Sequence, residues 1–469
     1  MNYSFSTNTE PSAQSRIEEL LARGDVHEAL ALAKELHKTS HLNVACAESL
    51  LKAAREWHAH GMLSEQQEAC ERVLAVVPEH FEALHLLGYG AQTQGEMERA
   101  ETYFTRAVAS NPDYPFARLA LAQMQMMRTQ FVQGRGDYEA RFDAVTEGSG
   151  PDWRGLPITR WRGESLQGKK IYLWAEQGLG DIVMFAGFLP FILKQSPARV
   201  ALGMFPKLNS LFARSFPSID IELIDDAIHH ALAPSVMGAF PHIEKLSQLA
   251  TVPFSIEPLR AAYDYVQRHG LFDFAAPMGD LLVHAMPGFI PANQPPYLIA
   301  DPIRVATVRK HLNTQGQGRR IGISWHTTNR RELVRNIPLQ QWLPLLATPG
   351  CHFVSLQHNV DEEKIKQFCA QHGCRITINT GIDPLADAEG LAALIAAQDA
   401  VITIDNSNVH LAGALGVSTA LLLPKGHNYR WPLLPENKTL WYKNVATLRQ
   451  QEAFDWKPVM QMAAAWLRD

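Results

Sequence analysis

Two helix-breaking residue types recur at one spacing near the start of this chain: Gly61 and Gly95 stand 34 positions apart, and so do Pro78 and Pro112. A period of this length is the mark of stacked copies of one supersecondary unit, since a single copy cannot bury its own apolar face. The second copy reads Leu87, Gly88, Gly95, Ala100, Phe104, Ala107 and Pro112. The first keeps Gly61, Cys70, Val73 and Pro78 in register but has Gln66 where the small Ala100 sits. Upstream, Gly24, Ala29, Ala33 and Leu36 repeat the offsets from a glycine. Downstream, a unit from Tyr114 holds Ala117 and Leu121 in phase and then decays. The segment from Ser15 to Phe142 is thus expected to be concave and helical, with no catalytic constellation, and to bind a partner or present an acceptor.

The pattern resembles the tetratricopeptide repeat, whose small residues let paired helices approach and whose proline closes the second helix. A generic helical hairpin bundle is the alternative. Residues 1–145 are therefore read as the repeat region, and 146–168, rich in Gly, Pro, Arg and Trp without a period, as a linker.

Beyond it the pattern changes to strands alternating with helices. Ile171–Trp174 is the first strand, followed by a glycine loop and an apolar helix from Ile182; Ala198–Met204 and Ile219–Ile224 are further strand candidates. His229 to Pro296 has no clean period. A clearer unit begins at Arg320. Ile321–Trp325, His352–Gln357, Arg375–Asn379, Ala400–Asp405 and Thr419–Leu423 read as strands. Helices fall at Leu339–Leu346, Asp361–His372, Gly390–Gln398 and Asn408–Leu415. The expected fold is α/β with an N-terminal all-α repeat region, the α/β part being two doubly wound parallel sheets at 169–300 and 301–469. Ligands in such sheets bind beyond the carboxyl ends of the strands.

Composition limits the function classes. In 469 residues, 46% hydrophobic and 19% charged, there is material for several cores. The net charge of −5 does not suit bulk capture of nucleic acid. The longest apolar run, Ile182–Leu193, contains Pro190 and is short of the roughly 20 residues a bilayer span needs. The N-terminus lacks a signal pattern, and five irregularly spaced cysteines point to a reducing compartment. A cytoplasmic location is the expectation.

Chemistry is sought in loops after strands. Asp181, at the end of the Gly178-Leu179-Gly180-Asp181 loop, either caps a helix or accepts a proton in a cleft. In Asp405-Asn406-Ser407-Asn408-Val409-His410, the helix opens with unpaired N–H groups and the positive end of its dipole. That end can hold a diphosphate without a metal, with Ser407 and Asn408 adding donors. Equally, Asn406 or Ser407 merely caps the helix and His410 is a satisfied, half-buried histidine. Between Trp325 and Arg335 lie several arginines able to clamp phosphate, or simply a solvated charged loop. Lys425 to Trp431 offers Lys425, His427, Arg430 and Trp431, and Gln357 ends a strand where it can read a base edge. Cys369, His372 and Cys374 have no second ligand pair at zinc spacing. Neither a phosphate loop, a G-x-S-x-G elbow nor a complete Gly-x-Gly-x-x-Gly fingerprint is present.

Taken in order, Tyr138-Glu139-Ala140-Arg141-Phe142, Trp161 through Lys169, Glu176 through Asp181, Ser355-Leu356-Gln357, Asp405 through Gly416, Tyr429-Arg430-Trp431 and Trp441-Tyr442 resemble a bacterial group. These are tetratricopeptide-repeat proteins fused to a GT-B glycosyltransferase of the heptosyltransferase-like, family 9 type. The resemblance implies inverting transfer of a sugar from a nucleotide-sugar donor to a protein or glycan acceptor, with no cofactor or metal. It implies Asp181 as general base. The implied donor site comprises Gly178, Gly180, Trp325, Arg335, Gln357, Asp405, Asn406, Ser407, Asn408, His410, Arg430 and Trp431. A protein partner would dock on the repeats. Two departures stand near the expected cleft: relatives carry an Arg-aromatic pair where this chain has Gly187-Phe188, and Asp-Thr where it has Asp405-Asn406. A non-catalytic adaptor with a degenerate nucleotide-binding module is the rival reading.

Overall fold

The structure, a computed structural model, describes residues 44–59, 61–144, 158–223, 272–327, 334–378, 381–432 and 434–468, with Arg16, Glu19, Leu20, Glu28 and Leu32. Of the upstream repeat expected around Gly24 to Leu36 only Glu28 and Leu32, both helical, are described, and most of the stretch without a clean period lies outside the described residues.

Three helical hairpins open the described fold: α1 (Val44–Ala59) with α2 (Leu63–Val76), α3 (Phe81–Thr93) with α4 (Met97–Ser110), and α5 (Pro115–Met127) with α6 (Phe131–Tyr138). Each pair is joined by a turn with one residue in the left-handed region. These are Gly61 at φ 74°, Gly95 at φ 79° and Thr129 at φ 62°, again 34 positions apart. The third unit therefore does not decay where the sequence lost it; Thr129 replaces the marker glycine while the backbone keeps its path. Helices within a pair approach closely because one side is small. A Cβ on Gly88 would sit 2.4 Å from the Phe104 ring. At the same repeat positions the first unit has Ala54 and Cys70 and the third Ala122 and Tyr138, all fully buried. Gln66, in the slot of Ala100, is buried too, and its amide donates to the Leu86 carbonyl and meets His58 Nδ1 at 3.2 Å.

The third unit ends irregularly. After α6 the chain tightens into a 3-10 turn, Glu139–Phe142, so the position held by Val73 and Ala107 in earlier units falls on Arg141. Its guanidinium leaves the repeat and enters the first sheet.

That sheet comprises β1 (Lys170–Trp174), β2 (Arg199–Met204), β3 (Asp220–Leu223) and β4 (Phe274–Pro277), all parallel, in the order β3-β2-β1-β4. The apolar run after β1 is two helices, α7 (Leu179–Ala186) and α8 (Leu189–Lys194), broken at Gly187-Phe188. A Cβ on Gly187 would meet Pro291 at 3.1 Å and Tyr297 at 3.3 Å, so the fold leaves no room there for an arginine. Part of the segment read as a linker is built in: Trp161 and Leu166 are fully buried and Arg160 bridges to Ala275.

The second sheet contains β5 (Arg319–Ser324), β6 (Cys351–Ser355), β7 (Ile376–Thr377), β8 (Ala400–Ile404), β9 (Thr419–Leu423) and β10 (Val445–Arg449). It is parallel throughout, in the order β10-β9-β8-β5-β6-β7. This is the doubly wound Rossmann order, whose direction of winding reverses between β5 and β8. Helix α9 (Asn209–Ser215) packs on β3 of the first sheet and α10 (Asp280–His284) follows β4, while α11 (Pro302–Gln315), α12 (Leu339–Leu346), α13 (Glu362–His372), α14 (Ala388–Ala396), α15 (Ser407–Leu415) and α16 (Lys457–Arg468) belong to the second sheet. The helix boundaries follow local chemistry. Asp301, Asp361, Asp387 and Asn406 accept backbone N–H groups as N-caps, and Gly373 and Gly416 end α13 and α15 in the left-handed conformation. One apolar cluster runs from Tyr138 through β1 and α7 to α15, Trp431 and Tyr442, so the two sheets share a core.

Candidate active site

The carboxyl ends of the two sheets meet where the start of α7 packs on the start of α15. Gly180 makes this possible: a Cβ there would lie 2.9 Å from His410 Cδ2 and 3.4 Å from the Ser407 Cα. The cap of α7 is Gly178, so Asp181 is a first-turn residue and its carboxylate caps nothing. Instead Oδ1 accepts from Arg430 Nε at 2.7 Å, across the junction between sheets. Both side chains are largely buried, 13% and 19% exposed.

Arg430 is aimed by its loop. Its backbone N–H donates to Asn428 Oδ1 (3.0 Å), its carbonyl accepts from Trp441 Nε1, and its guanidinium lies 5.1 Å from the Tyr429 ring centre. Asn428 also donates to Asp405 Oδ2 at 2.9 Å. Arg335 reaches the same carboxylate at 2.9 Å and the Asp405 carbonyl at 2.7 Å. Burial pushes the Asp405 carboxyl up, but Arg335, Arg430 and His410 together hold it below the ordinary aspartate value.

At the tip of α15 the cap is Asn406, whose Oδ1 accepts from the Asn408 N–H (3.0 Å) and from Thr403 Oγ1 (3.2 Å), while its Nδ2 donates to Ser324 Oγ (2.8 Å). Asn408 is turned inward, donating to the Leu356 carbonyl at 3.2 Å. Ser407 stands half-buried at the tip. Gln357 binds the end of β5 to that of β6: its Oε1 accepts from Ser324 Oγ and from the Trp325 and His326 N–H groups at 3.1–3.2 Å. Trp325 itself packs in the core of the second sheet. So Asp181, Gly180, Ser407, His410, Arg430, Trp431, Asp405 and Arg335 converge, whereas Gln357, Asn406, Asn408 and Trp325 make internal contacts that hold the loops. Gly178 is exposed at the rim.

His410 is enclosed. Its ring stacks on Trp431 (5.2 Å between centroids, 21°), and its Nδ1 lies 2.9 Å from the Tyr442 hydroxyl. Burial lowers its pKa to about 4, with Asp405 and Asp181 opposing and Arg430 and Arg335 adding to the fall. The ring is neutral at physiological pH.

The crevice at the switch point of the first sheet, between β1 and β4, is filled from the repeats. Arg141 donates to Glu176 (2.9 Å) and Asp280 (2.7 Å), and Gly279 N–H donates to Glu176 at 2.8 Å. Arg160 joins Asp280 to Glu139 through bonds of 2.8 and 3.0 Å. The Arg141 guanidinium also lies over the Tyr138 and Phe142 rings at 4.4 and 4.1 Å. On the other side, a Cβ on Gly95 would meet Lys425 at 2.6 Å and one on Gly426 would meet the Gln92 carbonyl at 2.0 Å. The repeats thus rest directly on the loop carrying Arg430. Arg141, Glu176 and Tyr442 stand in segments that carry the family resemblance but have no task assigned by the sequence, and Asn428, Ser324, Asp280 and Tyr297 carry no local signal. Only contact across the fold reveals their roles. Among the described residues no group of three or more His, Cys, Asp or Glu is arranged to hold a metal ion, and no helix is long and apolar enough to cross a membrane.

Repeat hairpins joined to two Rossmann-like parallel sheets, with their strand ends facing one shared site, form the architecture of a tetratricopeptide-repeat protein carrying a GT-B module. No family model matches the chain. It is 31% identical over 408 residues to protein FlbA of Caulobacter vibrioides, an alignment covering 84% of this chain and 63% of that protein. Among solved structures it is similar to a glycosyl transferase family 9 protein from Veillonella parvula (14% identity, 62% of this chain and 88% of that one, TM-score 0.42). It is also similar to the ADP-heptose lps heptosyltransferase II of E. coli (14%, 64% and 99%, TM-score 0.40).

Proposed function

We propose that this protein is an inverting, metal-independent glycosyltransferase that moves a sugar from a nucleotide-sugar donor to a protein or glycan acceptor docked partly by the repeats. The observation that carries the reading is the meeting of Asp181, Arg430 and the N-terminus of α15 at the facing ends of two Rossmann-like sheets. In this reading the helix N-terminus and Arg430 receive the donor diphosphate, which draws the guanidinium from Asp181. The freed carboxylate accepts the proton of the attacking acceptor group, which bonds to the anomeric carbon opposite the departing nucleoside diphosphate. Guanidinium and helix N–H groups supply the positive potential that a metal supplies elsewhere. Donor hydrolysis and transfer against a panel of nucleotide sugars test the reading. Activity with one donor that falls at least 100-fold in Asp181→Ala is expected; full activity in that variant would remove Asp181 as the base.

The adaptor reading has one observation in its favour: in this state the carboxylate is ion-paired. Nucleotide binding without turnover on any acceptor, in protein that includes the repeats, would select it.

A further inference from the structure

The last repeat unit departs from the others at two slots of the 34-residue register. The first slot holds Cys70 and Phe104 in the earlier units and Tyr138 in the third; the second holds Val73 and Ala107, then Arg141. Phe104 packs on Gly88 within its own helical pair. Tyr138 and Arg141 instead reach the loop between β1 and α7. Arg141 donates to Glu176 at 2.9 Å, and the next residue, Gln177, donates from Nε2 to the Tyr138 hydroxyl at 3.3 Å. Gln177 stands at φ 64°, a left-handed conformation that residues other than glycine rarely adopt. A turn of this kind persists where its surroundings hold it. Here both residues that lead into Gly178 are tied to the repeat, and α7 follows with Asp181 in its first turn. The Tyr138 ring also meets the Tyr429 ring edge-on (6.3 Å between centroids, 65°), and Tyr429 precedes Arg430, the partner of Asp181. Tyr138 is fully buried, so one fixed side chain touches the loops that carry both members of the Asp181–Arg430 pair.

We propose that Tyr138 is a positioning residue: through Gln177 it holds the strained turn that aims Asp181, so the last repeat sets the rate of turnover as well as docking a partner. The Glu176–Arg141 pair anchors the near end of this turn, and the packing of Gly180 on α15 fixes its far end. Between them the Gln177 side chain is held by the Tyr138 hydroxyl. Loss of that bond frees the turn to leave the left-handed region and carries the start of α7, and with it the Asp181 carboxylate, off its line. The groups read as receiving the donor diphosphate, Arg430 and the tip of α15, stand on the second sheet and keep their own supports. The tie stands on its hydrogen bond; the task of the carboxylate rests on the glycosyltransferase reading.

The experiment compares the full chain with Tyr138→Phe, Gln177→Ala and the double variant. Phenylalanine keeps the buried ring and removes only the hydroxyl; alanine removes the amide and leaves the backbone as strained as before. Hydrogen exchange of the ligand-free proteins, read by mass spectrometry, should show the peptide spanning 176–186 exchanging faster in each variant while α3 exchanges as in wild type. Unchanged exchange at 176–186 overturns the tie, and acceleration that includes α3 reduces Tyr138 to a general packing residue. Turnover is then measured with UDP-N-acetylglucosamine, GDP-mannose and ADP-glucose. On the sugar the wild type uses, kcat should fall about 10-fold in each single variant, with donor KM within about twofold. Both changes break one bond, so the double variant should be no slower than the slower single one. Losses that multiply, or a raised KM with kcat retained, overturn the positioning role. If the wild type turns over none of the three, the sugar-transfer reading and the aiming of its base fall together, while the tie is still decided by exchange.

Discussion

At Gly180 the absence of a side chain is what brings two sheets into contact, and its neighbour Gly178 supplies the control. An alanine methyl at 180 would press on the His410 ring and the Ser407 backbone, with His410 itself held between Trp431 and Tyr442. It must push α7 and α15 apart, and overpacking of this kind costs about 1–3 kcal/mol. At Gly178 the backbone is extended (φ −80°) and the nearest atom to a new Cβ is Asp181 Oδ2 at 3.7 Å, so alanine fits. Urea unfolding should find Gly180→Ala weaker by that amount and Gly178→Ala within about 0.5 kcal/mol of wild type. Equal stability of the two would mean the junction is not closely packed. The same contrast explains what the sequence could reveal. A Gly-x-Gly-Asp loop after a strand marks a place where backbone comes close to something, but the partner, Ser407 and His410, lies more than two hundred positions away.

Elements were legible where each carried its own period or cap. Helix α12 falls on Leu339–Leu346 as its apolar spacing predicts, and α13 follows its Asp361 cap and ends at Gly373. Strand β4 was not legible, because Phe-Ala-Ala-Pro has neither alternation nor length and becomes a strand only by pairing with β1. The third repeat was half legible. Its helices keep the 34-residue register, but Thr129 stands in the turn where Gly61 and Gly95 announce the first two. A β-branched residue in the left-handed region is strained by about 1–2 kcal/mol, and asparagine tolerates that conformation better. Thr129 is exposed and its hydroxyl bonds only to the adjacent Arg128 carbonyl among the bonds described for it. Thr129→Asn should therefore raise stability by about 0.5–1 kcal/mol without altering the helical circular dichroism. A loss of stability would show that the threonine side chain is needed there.

Two joints tie the repeats to the two sheets. The first is the Arg141 pocket. Replacing Arg141 by methionine leaves Glu176 buried without its main counterion, a change that costs about 3–5 kcal/mol. Limited proteolysis of Arg141→Met should release the repeat region faster than in wild type. The second joint is the Lys425–Trp431 loop, and it contains a titration. His427 is buried beneath the end of α3, its Nδ1 3.1 Å from the Lys425 carbonyl and its own carbonyl accepting from Gln92 at 3.4 Å. Burial, aided by Arg449, lowers its pKa to about 3, and that of His410 is lowered to about 4 mainly by burial. In the unfolded chain both protonate near pH 6.5, so below that value the unfolded state binds more protons and stability falls as pH falls. Above pH 6.5 neither histidine affects stability. By pH 5 each should have removed about 2 kcal/mol, the loss continuing toward its folded value. Asp405 adds nothing in this window, since its depressed folded value places its loss below pH 4. Urea unfolding at pH 7, 6 and 5 should show the decline, and His427→Leu should shrink the difference between pH 7 and pH 5 by about 2 kcal/mol. If that variant keeps the full slope, His427 is not held neutral, and acid sensitivity arises outside the seat of the repeats on the Arg430 loop.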